Sequence, residues 1–201
     1  MTNLKLFPTF ALRNAMIILA IFGTYSESYT QNFAQFRGVN RDGQYSETSL
    51  LSQWKEGGPD LLWAIEGIGK GYAAPVVTKD KIFINGEIDT TSYLFAYDLK
   101  GKLLWKVPNG KEFYGNGFSS QFPGARSTPT VVGNLVYSCS GRGRIICCDV
   151  KTGSLKWSVD MIKDFNGYET EFGIAESLVM DDTKVYCNPG GLQQRWQHLT
   201  N

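Results

Sequence analysis

The chain repeats itself. From Ala73 it reads AAPVVTKDKIFING and then LFAYDLKGKLLW, ending at Trp105. From Ser127 it reads STPTVVGNLVYSCS and then RIICCDVKTGSLKW, ending at Trp157. A third pass, ESLVMDDTKVYCNPGG, opens at Glu176 and then loses the pattern. Superposed, Pro75, Pro129 and Leu178 correspond, as do Phe83, Tyr137 and Tyr186. Asp98 meets Asp149, Gly101 meets Gly153 and Trp105 meets Trp157, while an earlier DLLWAI carries Trp63 in the same setting.

Each unit reads as four short strands, in the second unit over 127–132, 135–140, 144–149 and 155–160. Short β-rich runs broken by Gly, Asn and Asp mark strands joined by hairpins. The Asp-x-Lys-(Thr)-Gly segment is a turn with a mechanism: Asp bonds the turn backbone and Gly supplies the positive φ. The closing Trp buries a large ring between neighbouring sheets. Four-stranded units at a period of about 40–50 residues are propeller blades, so the expected class is all-β, a β-propeller of four-stranded blades. Composition agrees. Glycine is frequent (22 residues), aromatics make up 13%, and charged residues, at 19%, fall too low for a disordered chain. The net charge of +1 argues against a nucleic-acid partner, which calls for a basic face.

LFAYDLKGKLLW and IICCDVKTGSLKW resemble the tryptophan-docking repeat of PQQ-like β-propellers, the quinoprotein alcohol dehydrogenase-like and BamB-like superfamily. The opening FAQFRGVNRDGQYSETSLLSQW, Phe33 to Trp54, is similar to the start of exported bacterial PQQ-like repeat proteins, with Val39 in the place of a common Pro. The resemblance covers roughly residues 33–191 and bears on fold more than on activity, since one blade serves enzymes and scaffolds alike. It implies a binding or scaffold module of the cell envelope, BamB-like, whose partner is a protein or a small molecule. The competing implication is a fragment of a PQQ-dependent dehydrogenase of alcohols or sugars, with PQQ as cofactor.

Residues 1–28 read as a secretory signal. Lys5 and Arg13 precede an uncharged run, Ala15 to Gly23, and Ser26 and Ser28 flank a cleavage point before Tyr29. The run is shorter than the ~20 residues a spanning helix needs. A buried helix and an uncleaved anchor are the other readings, and membrane contact is expected only through this segment. The organisation is then a lead-in over 29–59, a partial propeller of about two and a half blades over 60–191, and an irregular tail over 192–201, where LQQRWQHLTN has neither strand alternation nor the turn. The remaining blades are expected in a full-length form. An open stack leaves strand edges unpaired, so this polypeptide alone is expected to be marginal or aggregation-prone.

Two connections between blades are long, Val107–Arg126 and Met161–Ala175. Both follow the last strand of one blade and precede the first of the next, so both emerge on one face beside the channel. Phe113, Tyr114, Phe118 and Phe122 lie in the first, Phe165, Tyr168 and Phe172 in the second. Long aromatic loops on one face are a candidate binding surface, or else a cover for the propeller top. Arg126 and Ser127 start one inner strand and Glu176 another. Glu176 takes the repeat position of Ala73 and Ser127, where a charge is either a ligand contact or a solvated channel residue.

No catalytic constellation is legible. The one histidine, His198, falls in the tail, which removes Ser-His-Asp chemistry and most His-based metal sites. Gly67-x-Gly69-Lys70-Gly71 lacks the elements of a phosphate loop, and Asn40-Arg41-Asp42-Gly43 lacks calcium-ligand spacing. The cysteines are Cys139, Cys147, Cys148 and Cys187, without zinc spacing. Quinoprotein dehydrogenases pack an adjacent-cysteine disulfide ring over PQQ, but strand alternation puts Cys147 and Cys148 on opposite faces. Cys139 and Cys147 share a face and could pair if register allows; buried free thiols are the other reading.

Overall fold

The computed structural model describes residues 33–181, 183–190 and 197–200. The expected signal, residues 1–28, lies outside them. No helix among the described residues is long and apolar enough to cross a membrane.

Turn chemistry sets where the strands stop. Asp98 Oδ1 accepts the N–H groups of Lys100 and Lys102 at 2.9 Å, and Gly101 adopts φ 80°. Asp149 Oδ1 accepts those of Lys151 and Thr152 at 3.0 Å, and Gly153 adopts φ 72°. A carboxylate that satisfies turn donors, with a glycine in the left-handed region, reverses the chain within four residues.

Three antiparallel sheets result. The first runs in the order β2 (Val76–Val77), β3 (Lys81–Ile88), β4 (Thr91–Asp98), β5 (Leu103–Lys111). The second comprises β6 (Thr130–Val132), β7 (Leu135–Cys139), β8 (Arg144–Asp149) and β9 (Leu155–Asp160), close to the four strands read from the repeat. The third holds β10 (Val179–Met180), β11 (Lys184–Cys187) and β12 (Gln197–Thr200). These are three blades of a PQQ-like propeller, and the three sheets do not close into a ring.

Two features depart from the sequence pattern. The lead-in contributes β1 (Phe33–Ala34), which pairs with β6 and makes the second sheet five-stranded. Residues 197–200, expected to be irregular, form β12 on the free edge of β11, with Tyr186 opposite His198. An edge strand offers its N–H and C=O groups to any extended segment, whatever the side-chain pattern. Residues 192–196 lie outside the described residues.

The repeat positions become matching rows across the sheets. Phe83 pairs with Ala96 and Ala96 with Trp105; Tyr137 pairs with Cys147 and Cys147 with Trp157. The ring pairs Phe83–Trp105 and Tyr137–Trp157 lie 5.8 and 5.9 Å apart. Because side chains alternate along a strand, each blade has two apolar faces. Phe83, Leu94 and Ala96 of the first meet Val131, Val136, Ile146 and Cys148 of the second. Tyr137, Ile145 and Cys147 on the other face of the second meet Leu178, Val185 and Cys187 of the third. Each large side chain buried this way contributes about 1.5–3 kcal/mol of transfer free energy.

The tryptophans then lock blade to blade. Trp63 lies over Gly101 and Trp105 over Gly153, so a Cβ on either glycine would stand 3.1 or 2.7 Å from the indole. Trp105 Nε1 also donates to the Val150 carbonyl at 3.3 Å.

Candidate functional site

The two long connections meet at the blade ends. The first leaves β5 and is held from below by residues 70–72. Tyr72 N–H donates to the Ala125 carbonyl at 2.6 Å, and Ala125 N–H to the Lys70 carbonyl at 3.3 Å. Its one ordered turn is a 3-10 helix, Gly117–Gln121, entered through a bond from Asn116 N–H to Ser119 Oγ at 3.1 Å. The second begins with α1 (Met161–Asp164), capped by Asp160, whose Oδ1 accepts the N–H groups of Ile162 and Lys163 at 3.1 Å. It is tied down by Tyr168 N–H on the Pro189 carbonyl at 2.9 Å and Ile174 N–H on the Gly141 carbonyl at 2.8 Å.

Not every expected ring reaches the surface. Phe113 is buried: Gly173 backs onto one part of its ring, and the Arg126 guanidinium lies 4.7 Å from the ring centroid. Phe165 packs into the core between the second and third blades. Tyr114, Phe118, Phe122, Tyr168 and Phe172 are the exposed members, and Phe118 and Phe122 meet edge to face at 5.5 Å. Arg126 is spent on the loop itself. It lies over both Tyr72 and Phe113 and donates to the Gly124 and Phe122 carbonyls.

Glu176 is half-buried, and Oε2 accepts the Asn188 N–H at 2.9 Å. Burial pushes its carboxyl above the usual range, against that bond. Its carbonyl takes the Ser127 hydroxyl at 2.7 Å, which laces the inner strand of the second blade to that of the third.

Residues that the repeat did not single out complete the site. Arg142, at the tip of the β7–β8 hairpin, pairs with Glu169 of the second connection at 2.8 Å. A cavity of about 370 Å³ opens between the connections, lined by Phe113, Asn116, Ser119, Arg142, Tyr168 and Glu171. On the other side of Arg142 a second hollow of about 580 Å³ is lined by Lys111, Arg144, Asp160 and Lys163, among others. Beneath them Glu112 Oε1 accepts the Gly141 N–H at 2.6 Å and its neighbour Phe113 N–H at 2.9 Å. Burial is the main influence on Glu112 and raises its pKa despite those donors. The only sequence signal for Arg142 was the Gly141-Arg142-Gly143 tip, which reads as a plain turn. Chemically, the cavity offers a ring, hydroxyl and amide groups, and charges of both signs. This is an arrangement that holds a ligand by stacking and pairing.

The residues present do not fit the quinone-dehydrogenase pattern. Cys147 faces the third blade and Cys148 the first, and all four cysteines are free and buried. Cys139 and Cys147 share a face as expected, but Cys139 pairs with Ile145 and Cys147 with Tyr137, two positions apart in register. No group of three or more His, Cys, Asp or Glu side chains converges among the described residues.

The family profile described as "Outer membrane protein assembly factor BamB" matches residues 60–188. No curated protein matches. Among solved structures, a europium-containing methanol dehydrogenase is similar at 15% identity and TM-score 0.44, covering 63% of this chain and 22% of that one. A quinohemoprotein alcohol dehydrogenase from Pseudomonas putida HK5 is similar at 21% identity and TM-score 0.45, covering 71% of this chain and 20% of that one. The chain thus spans about a fifth of the length of each.

Proposed function

We propose, for a chain that belongs to the PQQ-like repeat family described as outer membrane protein assembly factor BamB, a binding role in the cell envelope: the blades are the scaffold, and the face built by the two long connections takes a protein or small-molecule ligand. The observation that carries this reading is the meeting of both connections around one cavity, with Tyr168 in its lining and Tyr114, Phe118, Phe122 and Phe172 exposed on the same two connections. Exposed aromatic side chains on loops held by a rigid sheet stack are how such scaffolds offer contact area at low entropic cost. Export is supported by the charged start and apolar run of residues 1–28.

A photo-crosslinking side chain placed in turn at Phe118, Tyr168 and Lys79 tests this in the producing cell. Lys79, in the β2–β3 turn, lies at the opposite end of the first blade. The expected result is one adduct of the same mass from Phe118 and Tyr168 and none from Lys79. Equal labelling at all three positions, or none, overturns the reading. Dye reduction with alcohols or aldoses after PQQ and Ca²⁺ are added replaces it with the dehydrogenase.

A further inference from the structure

The hollow of about 580 Å³, where the end of β5 meets the start of β8, holds two cations without an anion. Four basic side chains line it. Lys163 pairs with Asp160 at 3.4 Å and Arg142 with Glu169 at 2.8 Å. Lys111 and Arg144 make no ion pair among the described residues. The third carboxylate of the lining, Asp164, is engaged by its own helix, where Oδ2 accepts the Asp160 N–H at 2.8 Å. Four cations against three carboxylates leave one positive charge, on the side of Lys111 and Arg144. Arg144 is fixed in place. Gly110 leaves room for its stem, since a Cβ on that glycine would stand 3.1 Å from Arg144 Cδ. At the tip, Nη2 donates to Ser158 Oγ at 3.2 Å. A guanidinium has five N–H donors, and the others have no acceptor among the described residues.

We propose that the partner taken by this face is an acidic protein segment, which places one carboxylate between Lys111 and Arg144. The inference rests on the binding role proposed above and names the chemistry of the partner. An arginine fork held at its stem matches the two oxygens of a carboxylate, and the lysine that follows Gly110 adds a point charge. The single net charge selects a monoanion. A phosphate ester carries about two negative charges at neutral pH and would face three carboxylates in the same walls. A lone carboxylate in so open a hollow is held weakly, as exposed ion pairs are. The remaining contact comes from next door. Arg142 and Glu169 line both this hollow and the cavity of about 370 Å³ that holds Phe113 and Tyr168. An extended chain crossing the Arg142–Glu169 pair sets an acidic side chain in one and an aromatic side chain in the other, which a small anion cannot do.

Fluorescence polarisation on the purified chain reads the charge preference, with fluorescein-labelled peptides of alternating Glu and Tyr, Gln and Tyr, or Lys and Tyr. The Glu-Tyr peptide should bind best and the Lys-Tyr peptide worst, with the difference shrinking as salt is added. Lys111→Gln should weaken Glu-Tyr binding about threefold and Arg144→Gln about tenfold, the arginine being half-buried and forked. Lys79→Gln, at the opposite end of the first blade, should leave it unchanged. Circular dichroism checks the fold, and Lys111, exposed and without an ion pair, decides the matter if Arg144→Gln does not fold. Equal binding of the Glu-Tyr and Gln-Tyr peptides, no binding of either, or parental binding in the variants overturns the proposal. So does displacement of the Glu-Tyr peptide by inorganic phosphate at a lower concentration than by glutarate. In the cell the two readings separate. Adducts from Phe118 and Tyr168 that keep their yield with Lys111→Gln in place leave the binding face standing and remove the acidic partner, whereas no adduct from the parent removes both.

Discussion

Trp105 lies against Gly153 of the next blade so closely that a Cβ on that glycine would stand 2.7 Å from indole Cδ2. The glycine is needed twice over, for this approach and for its φ of 72°. Gly153→Ala should therefore cost about 2–4 kcal/mol, adding left-handed strain to overpacking. Gly133→Ala is the matched control. Its φ is 58°, but nothing lies within 4 Å of the added methyl, so only the strain remains, about 1 kcal/mol. Urea unfolding of both variants measures the difference. Equal losses would show that the tryptophan contact carries no weight.

Glu112 makes stability depend on pH. Ser92 lies beside its carboxyl but outside hydrogen-bond geometry, and Oε2 has no partner among the described residues. Burial raises its pKa in the folded state, so the folded chain holds that proton more tightly than the unfolded chain. The associated stability is fully present below the unfolded value near 4.5 and is lost as pH rises through the folded value. Glu112→Gln keeps an oxygen for the Gly141 and Phe113 N–H groups and cannot ionise. Its Tm should match the parent in acid and exceed it at neutral pH. Parallel melting curves for the two across that window would refute the assignment.

The thiols should be silent until the fold opens. Burial pushes Cys147 and Cys187 up to about 11 and Cys148 up to about 12, and holds Cys139 well above the usual thiol range. A thiol is nucleophilic as thiolate, so low ionisation and lack of access act together. Iodoacetamide at neutral pH should label none of the four in the folded chain and all four in guanidinium, as read by intact mass. A pair that resists labelling after unfolding without reductant would reveal a disulfide.

What could be read in advance was what the repeat encodes. Asp98, Gly101, Trp105, Asp149, Gly153 and Trp157 act locally or against the next blade, so their spacing alone placed the strands, turns and docking contacts. The opposite faces of Cys147 and Cys148 followed from strand alternation. The rest depends on contacts that no period records. β1 and β12 are short edge pairings made by backbone, which any side chains permit. Phe113 and Phe165 look like Phe118 and Phe172 in sequence, and only the path of each connection decides which rings turn inward. Glu112 reads as one more surface carboxylate until the β7–β8 hairpin is laid over it.

Arg126 decides whether the first connection keeps its shape. Its guanidinium lies 4.7 Å from the Phe113 centroid and 5.5 Å from that of Tyr72, and it donates to two carbonyls of its own loop. A planar fork can stack and donate in several directions at once, which a lysine ammonium cannot. Arg126→Lys should cost about 1 kcal/mol, and Arg126→Ala about 2 kcal/mol, with the loss concentrated in the loop. Limited chymotrypsin digestion distinguishes local from global loosening. Cleavage after Tyr114 or Phe118 should speed up in both variants, more in the alanine, while cleavage in the blades keeps the parent rate. If lysine restores the parent digestion pattern, a positive charge suffices there and the stacked, forked geometry is not what holds the exposed rings in place.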